Sequence, residues 1–171
     1  MSLAVAHTRG IVEKKDIALL EFEERPPDSY NVFYAGWDMQ AYTDQTPYIN
    51  LHHPSGAVKK YGRFDDDLTL TNYLPAPAMW DAGGFWEIAG WTEGSTYLGS
   101  SGSPLFNNEN HVVGTLTGGK SNCDGSDPDG NKDYFAATHK AWSQLSSYLD
   151  PLGTGKLTNN GFDPHRTNPL C

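Results

Sequence analysis

The chain has 171 residues and a formal net charge of −9, and 37% of its residues are hydrophobic. This length suggests one domain with a core of ordinary size. The negative charge argues against nucleic-acid binding, which needs clustered Lys and Arg, and no segment approaches the roughly 20 apolar residues of a membrane span.

The N-terminal third indicates short strands separated by turns. Eighteen glycines and eleven prolines, together with many Thr, Tyr and Trp, favour a β-rich fold with many loops. Residues 1–10 resemble a junction or a frayed end. Residues 11–24 are predicted to form a strand that stops at the two prolines 26–27, and residues 31–36 form a short aromatic strand.

The middle of the chain continues this pattern. Residues 47–53 are predicted to form a strand in which Tyr48, Asn50 and His52 face one side and the intervening residues face the other. Further elements are a strand, a loop and an aromatic apolar segment, at residues 68–71, 75–84 and 85–91.

The C-terminal part departs from the strand pattern. A long polar loop is predicted at residues 121–132. Trp142, Leu145 and Leu149 recur at helical spacing, which predicts one amphipathic helix over residues 140–150, followed by an extended tail. Strands at short intervals with one terminal helix are typical of a small antiparallel barrel.

The segment Gly99-Ser100-Ser101-Gly102-Ser103-Pro104 is the most informative motif. Glycine adopts positive φ and permits close approach to the backbone, so this segment suits a serine nucleophile exposed on a tight turn. The N–H groups of Gly99 and Ser101 can converge on a developing oxyanion. An ordinary Gly/Ser turn between two strands is the alternative.

Several blocks in order resemble the lysyl endopeptidase branch of the trypsin-like (chymotrypsin-fold) serine proteases. They extend over roughly residues 12–164 and comprise Asp16-Ile17-Ala18-Leu19-Leu20, residues 31–38, His52-His53-Pro54, residues 99–104, residues 114–123, Asp133-Tyr134 and residues 145–155.

The resemblance implies an all-β fold, namely the C-terminal barrel of a double Greek-key barrel, with one C-terminal helix. Residues 1–30 would be the end of the N-terminal barrel and the inter-barrel segment. Residues 31–155 would form the C-terminal barrel and the helix, and residues 156–171 an extended tail. The missing N-terminal barrel is expected in a longer parent protein.

The resemblance also implies the catalytic residues of an endopeptidase. Ser101 matches the nucleophile, Gly99 and Ser101 match the oxyanion-hole donors, and Asp16 matches the carboxylate that orients the histidine base. Ser100 stands where pancreatic trypsins have an aspartate that pairs with a new N-terminal amine, so activation by that route is not expected.

The histidine base is not found at its place in the chain. In this fold the histidine precedes the aspartate by several tens of residues, whereas His7 precedes Asp16 by only nine. The other histidines follow Asp16. Removing the base cost about 10⁶ in kcat in subtilisin, so this polypeptide alone is predicted to have negligible peptidase activity.

The resemblance places the specificity pocket around Asp133, with Thr117, Gly118 and Gly119 as substrate-binding residues. An anion in a narrow pocket favours Lys or Arg. Lys132 competes for the same position because the match is off by one residue. Thr117 replaces a histidine that shapes a Lys-only pocket, so the preference for Lys over Arg stays open.

Other readings remain open at this point. Residues 127–133 could offer oxygen ligands to Ca²⁺, although neither metal nor cofactor is expected, and Trp86 and Trp91 could belong to a carbohydrate-binding module. Cys123 and Cys171 are either bonded to each other or free. A non-catalytic homologue that binds peptides is the second function hypothesis.

Localisation gives two conflicting indications. Residues 1–10 lack the apolar stretch of a secretory signal, whereas proteases of the resembled branch are secreted or periplasmic. The two agree if the chain begins inside a longer protein, and we therefore expect a secreted or periplasmic parent that acts on peptides or proteins, with neither nucleic acid nor membrane as a partner.

Overall fold

A computed structural model describes residues 6–122 and 131–165. This part of the chain holds eleven strands and one α-helix. The strands are β1 (Ala6–Val12), β2 (Ile17–Phe22), β3 (Gly36–Asp38), β4 (Tyr48–His52), β5 (Lys60–Phe64), β6 (Thr69–Thr71), β7 (Phe85–Ile88), β8 (Pro104–Phe106), β9 (His111–Gly119), β10 (Asp133–Ala137) and β11 (Thr158–Asn159), and the helix is α1 (Trp142–Leu149).

Nine strands form one sheet in the order β5-β4-β8-β9-β10-β7-β6, with β3 on β9 and β11 on β3. The pairings are antiparallel except that between β3 and β9. This agrees with the predicted antiparallel barrel and single C-terminal helix. Its interior is filled by large apolar side chains, namely Tyr48, Phe64, Leu68, Trp86, Ile88, Leu105, Val113, Leu116 and Phe135.

A second apolar cluster attaches β1 and β2 to the outside of this sheet. Along β10 the side chains alternate, so that Phe135 enters the barrel core while Tyr134 and Ala136 join the second cluster. Val12 and Ile17 of the hairpin and Leu145 of α1 cover that outer face. The hairpin is thereby held against the barrel, next to the segment that carries Asp16.

The N-terminal expectations need correction. Residues 6–10 are not a frayed end, because they pair with β2 as part of β1. Residues 11–24 are not one strand, because a 3₁₀ turn at Glu13–Lys15 and a left-handed Asp16 (φ 54°) reverse the chain between β1 and β2. The charged residues Glu13, Lys14, Lys15 and Asp16 form this hairpin turn. The pairing of β1 with β2 determines where the two strands begin and end.

Several other boundaries differ modestly from the sequence prediction. The aromatic segment 31–36 contributes one bridge, between Tyr34 and Phe162, and regular pairing begins only at Gly36. The predicted helix is divided into a 3₁₀ segment, Thr138–Ala141, and α1. Part of the expected C-terminal tail pairs with the barrel through β11. Cys123 and Cys171 lie outside the described residues, as do residues 127–130 of the possible Ca²⁺ loop.

Candidate active site

Ser101 lies on the protein surface, in the second of two consecutive turns. The first turn is closed by the Ser100 N–H, which donates to the Tyr97 carbonyl at 3.0 Å. The second is closed by the Ser103 N–H, which donates to the Ser100 carbonyl at 3.1 Å. Each turn has a glycine at its third position with positive φ, Gly99 at 87° and Gly102 at 80°, a conformation that glycine adopts without strain.

The N–H groups of Gly99 and Ser101 belong to the same segment as the exposed Ser101 hydroxyl. Within the described residues, neither N–H donates to a backbone carbonyl, whereas the N–H groups of Ser100 and Gly102 do. The Gly102 N–H donates to the Leu116 carbonyl at 2.7 Å, and the Leu116 N–H donates back to Ser103 at 2.9 Å. The turn is thus anchored to β9 while two donors remain available to an oxyanion.

Asp16 and Ser101 line the same cleft, which has a volume of about 970 Å³. The Asp16 turn is anchored on the far side of the cleft by two contacts with Asp81. The Lys15 ammonium lies 2.6 Å from the Asp81 carboxylate, and the Asp81 N–H donates to the Lys14 carbonyl at 2.7 Å. The hairpin therefore presents Asp16 toward the cleft that also contains Ser101.

A second cavity, of about 450 Å³, joins Ser101 to Asp133. Its wall includes Thr117, Gly118 and Gly119, the three residues at the end of β9. A Cβ atom on Gly119 would lie 2.1 Å from the Lys132 carbonyl oxygen and 2.3 Å from Asp133 Oδ1. Glycine is therefore required there for β9 and β10 to pair beside the carboxylate.

Asp133 is buried, with 1% of its surface exposed. Its Oδ2 atom accepts hydrogen bonds from Trp91 Nε1 at 2.6 Å and from Thr96 Oγ1 at 2.7 Å. Burial raises the pKa of this carboxyl group, and the hydrogen bonds from Thr96 and Trp91 act in the opposite direction. The cavity thus ends in a largely dry acidic group that a cation would stabilise in its charged form.

The two lysines near this cavity have different surroundings. The Lys132 side chain extends to Glu87, with Nζ 3.5 Å from the Glu87 carboxylate, so Lys132 is not a wall residue. Lys120 does line the cavity, together with Asp133. The register of β10 therefore orients Asp133, rather than its neighbour, toward the cavity.

Histidines are not brought to Ser101 in the described part of the chain, since none lines either cavity. His7 lies on β1 with its Nε2 atom 3.0 Å from the Glu23 carboxylate. His52 is buried and contacts Ser100 instead. Residues 6–122 and 131–165 also contain no cluster of three or more metal-binding side chains, and none of their helices is long and apolar enough to span a membrane.

Sequence reasoning missed several residues that shape the site. Trp91 and Thr96 hold the Asp133 carboxylate, and Tyr73 lines both cavities. Their positions depend on chain folding over long distances, and no local pattern indicates them. The strand alternation places Asn50 and His52 on one face of a strand but gives them no role in the site. Two polar residues on a strand face that proves to be buried are the signal that could have indicated such a role.

The fold agrees with that of solved proteases. The crystal structure of the Rv3671c protease in its inactive form superposes with a TM-score of 0.52 at 15% identity, covering 83% of this chain and 65% of that one. The active form from M. tuberculosis gives 0.51 at 18% identity, covering 82% and 57%. The nine-stranded sheet thus has the fold of the C-terminal barrel of a trypsin-like, chymotrypsin-type protease, as the resemblance implied.

The sequence comparisons define the family. Residues 2–136 match the sequence profile of the lysyl endopeptidase C-terminal domain, and the chain belongs to that family. It is 30% identical over 142 residues to the lysyl endopeptidase of Pseudomonas aeruginosa, a match that covers 81% of this chain. The match covers 29% of that relative, so the chain spans less than a third of the curated protein it resembles.

Proposed function

We propose that this chain supplies the nucleophile, the oxyanion donors and the specificity pocket of a serine endopeptidase that cleaves after Lys. The observation that carries the proposal is that Ser101 and Asp133 line one cavity. A substrate side chain that reaches the buried carboxylate would present its own carbonyl group to the exposed hydroxyl. Membership of the lysyl endopeptidase C-terminal domain family supports this assignment.

In the proposed reaction, Ser101 Oγ attacks the carbonyl carbon of the bond after Lys. Its proton passes to a histidine, which Asp16 orients, and the N–H groups of Gly99 and Ser101 bind the oxyanion. The C–N bond then breaks, and the leaving amine takes the proton from the histidine. Water attacks the acyl-enzyme in the same way and releases a product with a C-terminal Lys.

We propose that the histidine comes from an N-terminal barrel outside this chain, in a secreted or periplasmic parent protein. This accounts for a cleft that is lined by Asp16 and Ser101 but, as far as residues 6–122 and 131–165 show, by no histidine. The short coverage of the Pseudomonas relative is consistent with it. This polypeptide alone is then expected to bind substrate-like ligands with negligible turnover.

The contacts of Asp133 favour Lys over Arg. Oδ2 already accepts two hydrogen bonds, from Trp91 and Thr96. A guanidinium group binds best in a bidentate arrangement that uses both carboxylate oxygens, whereas an ammonium group acts as a compact point charge. Ser121 also contributes a backbone hydrogen bond to this carboxylate. A carboxylate already engaged by three residues leaves little room for bidentate binding of a guanidinium and is therefore better matched to Lys.

A peptidyl boronic acid with a lysine side chain tests the proposal. Its boron becomes tetrahedral when Ser101 Oγ adds to it and a proton is released, which ¹¹B NMR detects directly. We expect adduct formation with the chain, loss of the adduct in Ser101→Ala, and no loss in the surface control Ser143→Ala. The matching norleucine boronate should bind more weakly, because it carries no charge for Asp133.

A second candidate is a non-catalytic binding barrel, which is favoured because no histidine among the described residues lines either cavity. It predicts that butylamine, which mimics a lysine side chain, binds to the Asp133 cavity while the boronate stays trigonal. Hydrolysis of a lysyl amide by this chain alone, abolished in Ser101→Ala, would contradict the proposal that the base comes from outside it.

A further inference from the structure

Two polar residues of β4 are buried behind the Ser101 turn. Along β4 the side chains of Tyr48, Asn50 and His52 alternate into the interior, and Asn50 and His52 have 0% and 2% of their surface exposed. Polar groups at such positions cost free energy unless they are hydrogen-bonded. Their partners therefore indicate why polar residues stand there.

Both residues bond to the turn that carries the nucleophile. His52 Nδ1 lies 2.8 Å from Oγ of Ser100, the residue directly before Ser101 in the chain. Asn50 Nδ2 donates to Ser103 Oγ at 2.8 Å and to the Pro104 carbonyl at 2.9 Å, just after it. The turn is thus held from inside the barrel on both sides of Ser101.

Ser100 occupies the joint between the two turns. It is the last residue of the turn that contains Gly99 and the first residue of the turn that contains Ser101. Its hydroxyl oxygen also accepts the Tyr97 N–H at 3.3 Å, and 1% of its surface is exposed. A change in the backbone angles of Ser100 would therefore change the orientation of the Gly99 and Ser101 N–H groups relative to each other.

We infer that the buried His52–Ser100 hydrogen bond, supported by Asn50, is the device that keeps the oxyanion donors of Gly99 and Ser101 in their productive orientation. His52 and Asn50 are positioning residues, because they act through Ser100 and Ser103 and touch no substrate. The device is built into the folded barrel and needs no new N-terminal amine. This inference rests on the proposed function of Ser101.

The surroundings of His52 favour a neutral ring whose proton lies on Nδ1, the nitrogen that bonds Ser100. Burial lowers the pKa of His52, the neighbouring His53 acts in the same direction, and the Asp133 carboxylate opposes them. Within the described residues, Nε2 is buried without a hydrogen-bond partner. A doubly protonated ring would therefore leave an N–H group unpaired inside the barrel.

Two ligands separate positioning from a general structural role. The lysine boronate needs Ser101 and both oxyanion donors, whereas butylamine needs only the Asp133 cavity. We expect His52→Phe to weaken boronate binding at least tenfold and to leave butylamine binding within twofold of the unaltered chain. His52→Asn places an amide nitrogen or oxygen near the Nδ1 position and should restore boronate affinity to within threefold.

Controls and a second variant make the result decisive. His53→Asn, at the exposed neighbouring position, should bind both ligands like the unaltered chain. If His52→Phe does not fold, Ser100→Ala removes the same bond from its other partner and should give the same selective loss. Equal losses of boronate and butylamine binding, or unchanged boronate binding in both His52→Phe and Ser100→Ala, would overturn the inference.

The proposed function and the inference fail in different ways. A chain whose boronate affinity does not depend on Ser101 would refute the proposed function and the inference with it. A chain that shows Ser101-dependent boronate binding, unaffected by His52→Phe and Ser100→Ala, would refute the inference alone.

Discussion

Replacing Asp133, the acid at the end of the cavity, should lower the affinity for butylamine without lowering the free energy of unfolding of the chain. In Asp133→Asn the amide oxygen can still accept the Trp91 and Thr96 donors, but the negative charge is gone. A unit charge pair about 4 Å apart contributes roughly 4 kcal/mol at an effective dielectric constant of about 20. Butylamine affinity should therefore fall about 10³-fold.

Stability should move in the opposite direction. Because burial raises the pKa of Asp133 in the folded chain, the folded state binds its proton more tightly than the unfolded state does. That contribution to stability is present at low pH and is lost as the pH rises through the folded pKa. Asp133→Asn avoids the buried charge, so at pH 8 its free energy of unfolding should equal or exceed that of the unaltered chain.

Calorimetric titration with butylamine and urea unfolding at pH 8 measure the two quantities. Asp66→Asn removes the same charge from an exposed position and should change neither by much, because solvent screens it. A loss of affinity below tenfold would refute the role of Asp133 as the charge that binds the ligand. A clear loss of stability would refute the argument that its burial is costly.

Two further predictions concern the barrel around the site. Burial, followed by the charge of Lys140, lowers the pKa of His139 from 6.5 to about 4. Between pH 6.5 and pH 4 the histidine is therefore protonated only in the unfolded state, and the free energy of unfolding should fall by up to about 3 kcal/mol as the pH is lowered through this range. Urea unfolding measures this pH dependence, and His139→Gln should flatten it. Gly119→Ala should lower the free energy of unfolding by about 1–3 kcal/mol through overpacking and should weaken butylamine binding, since its Cβ would meet the Lys132 backbone and Asp133. Gly10→Ala, where the Cβ meets only the end of the Leu145 side chain at 3.1 Å, should do neither. Equal thermal unfolding and equal butylamine binding of the two variants would contradict this prediction.

Local sequence determined the features that depend on neighbouring residues. The glycines at 99 and 102 predicted a tight turn at Ser101, because positive φ favours glycine, and the structure divides this segment into two consecutive turns. The alternation over residues 47–53 predicted that Tyr48, Asn50 and His52 share one face of a strand, and the structure shows that this face is the buried one. The helical spacing after residue 140 predicted an amphipathic helix, of which Leu145 is buried. Such patterns are readable because a strand repeats every two residues and a helix every 3.6.

Tertiary structure alone decided how these pieces meet. The pairing of β1 with β2 converted an expected frayed end into a hairpin and brought Asp16 to the Ser101 cleft. The register of β10 oriented Asp133 toward Trp91 and Thr96. These contacts join residues far apart in the chain, so their energies depend on the packing of the whole barrel and leave no periodic signal in the sequence.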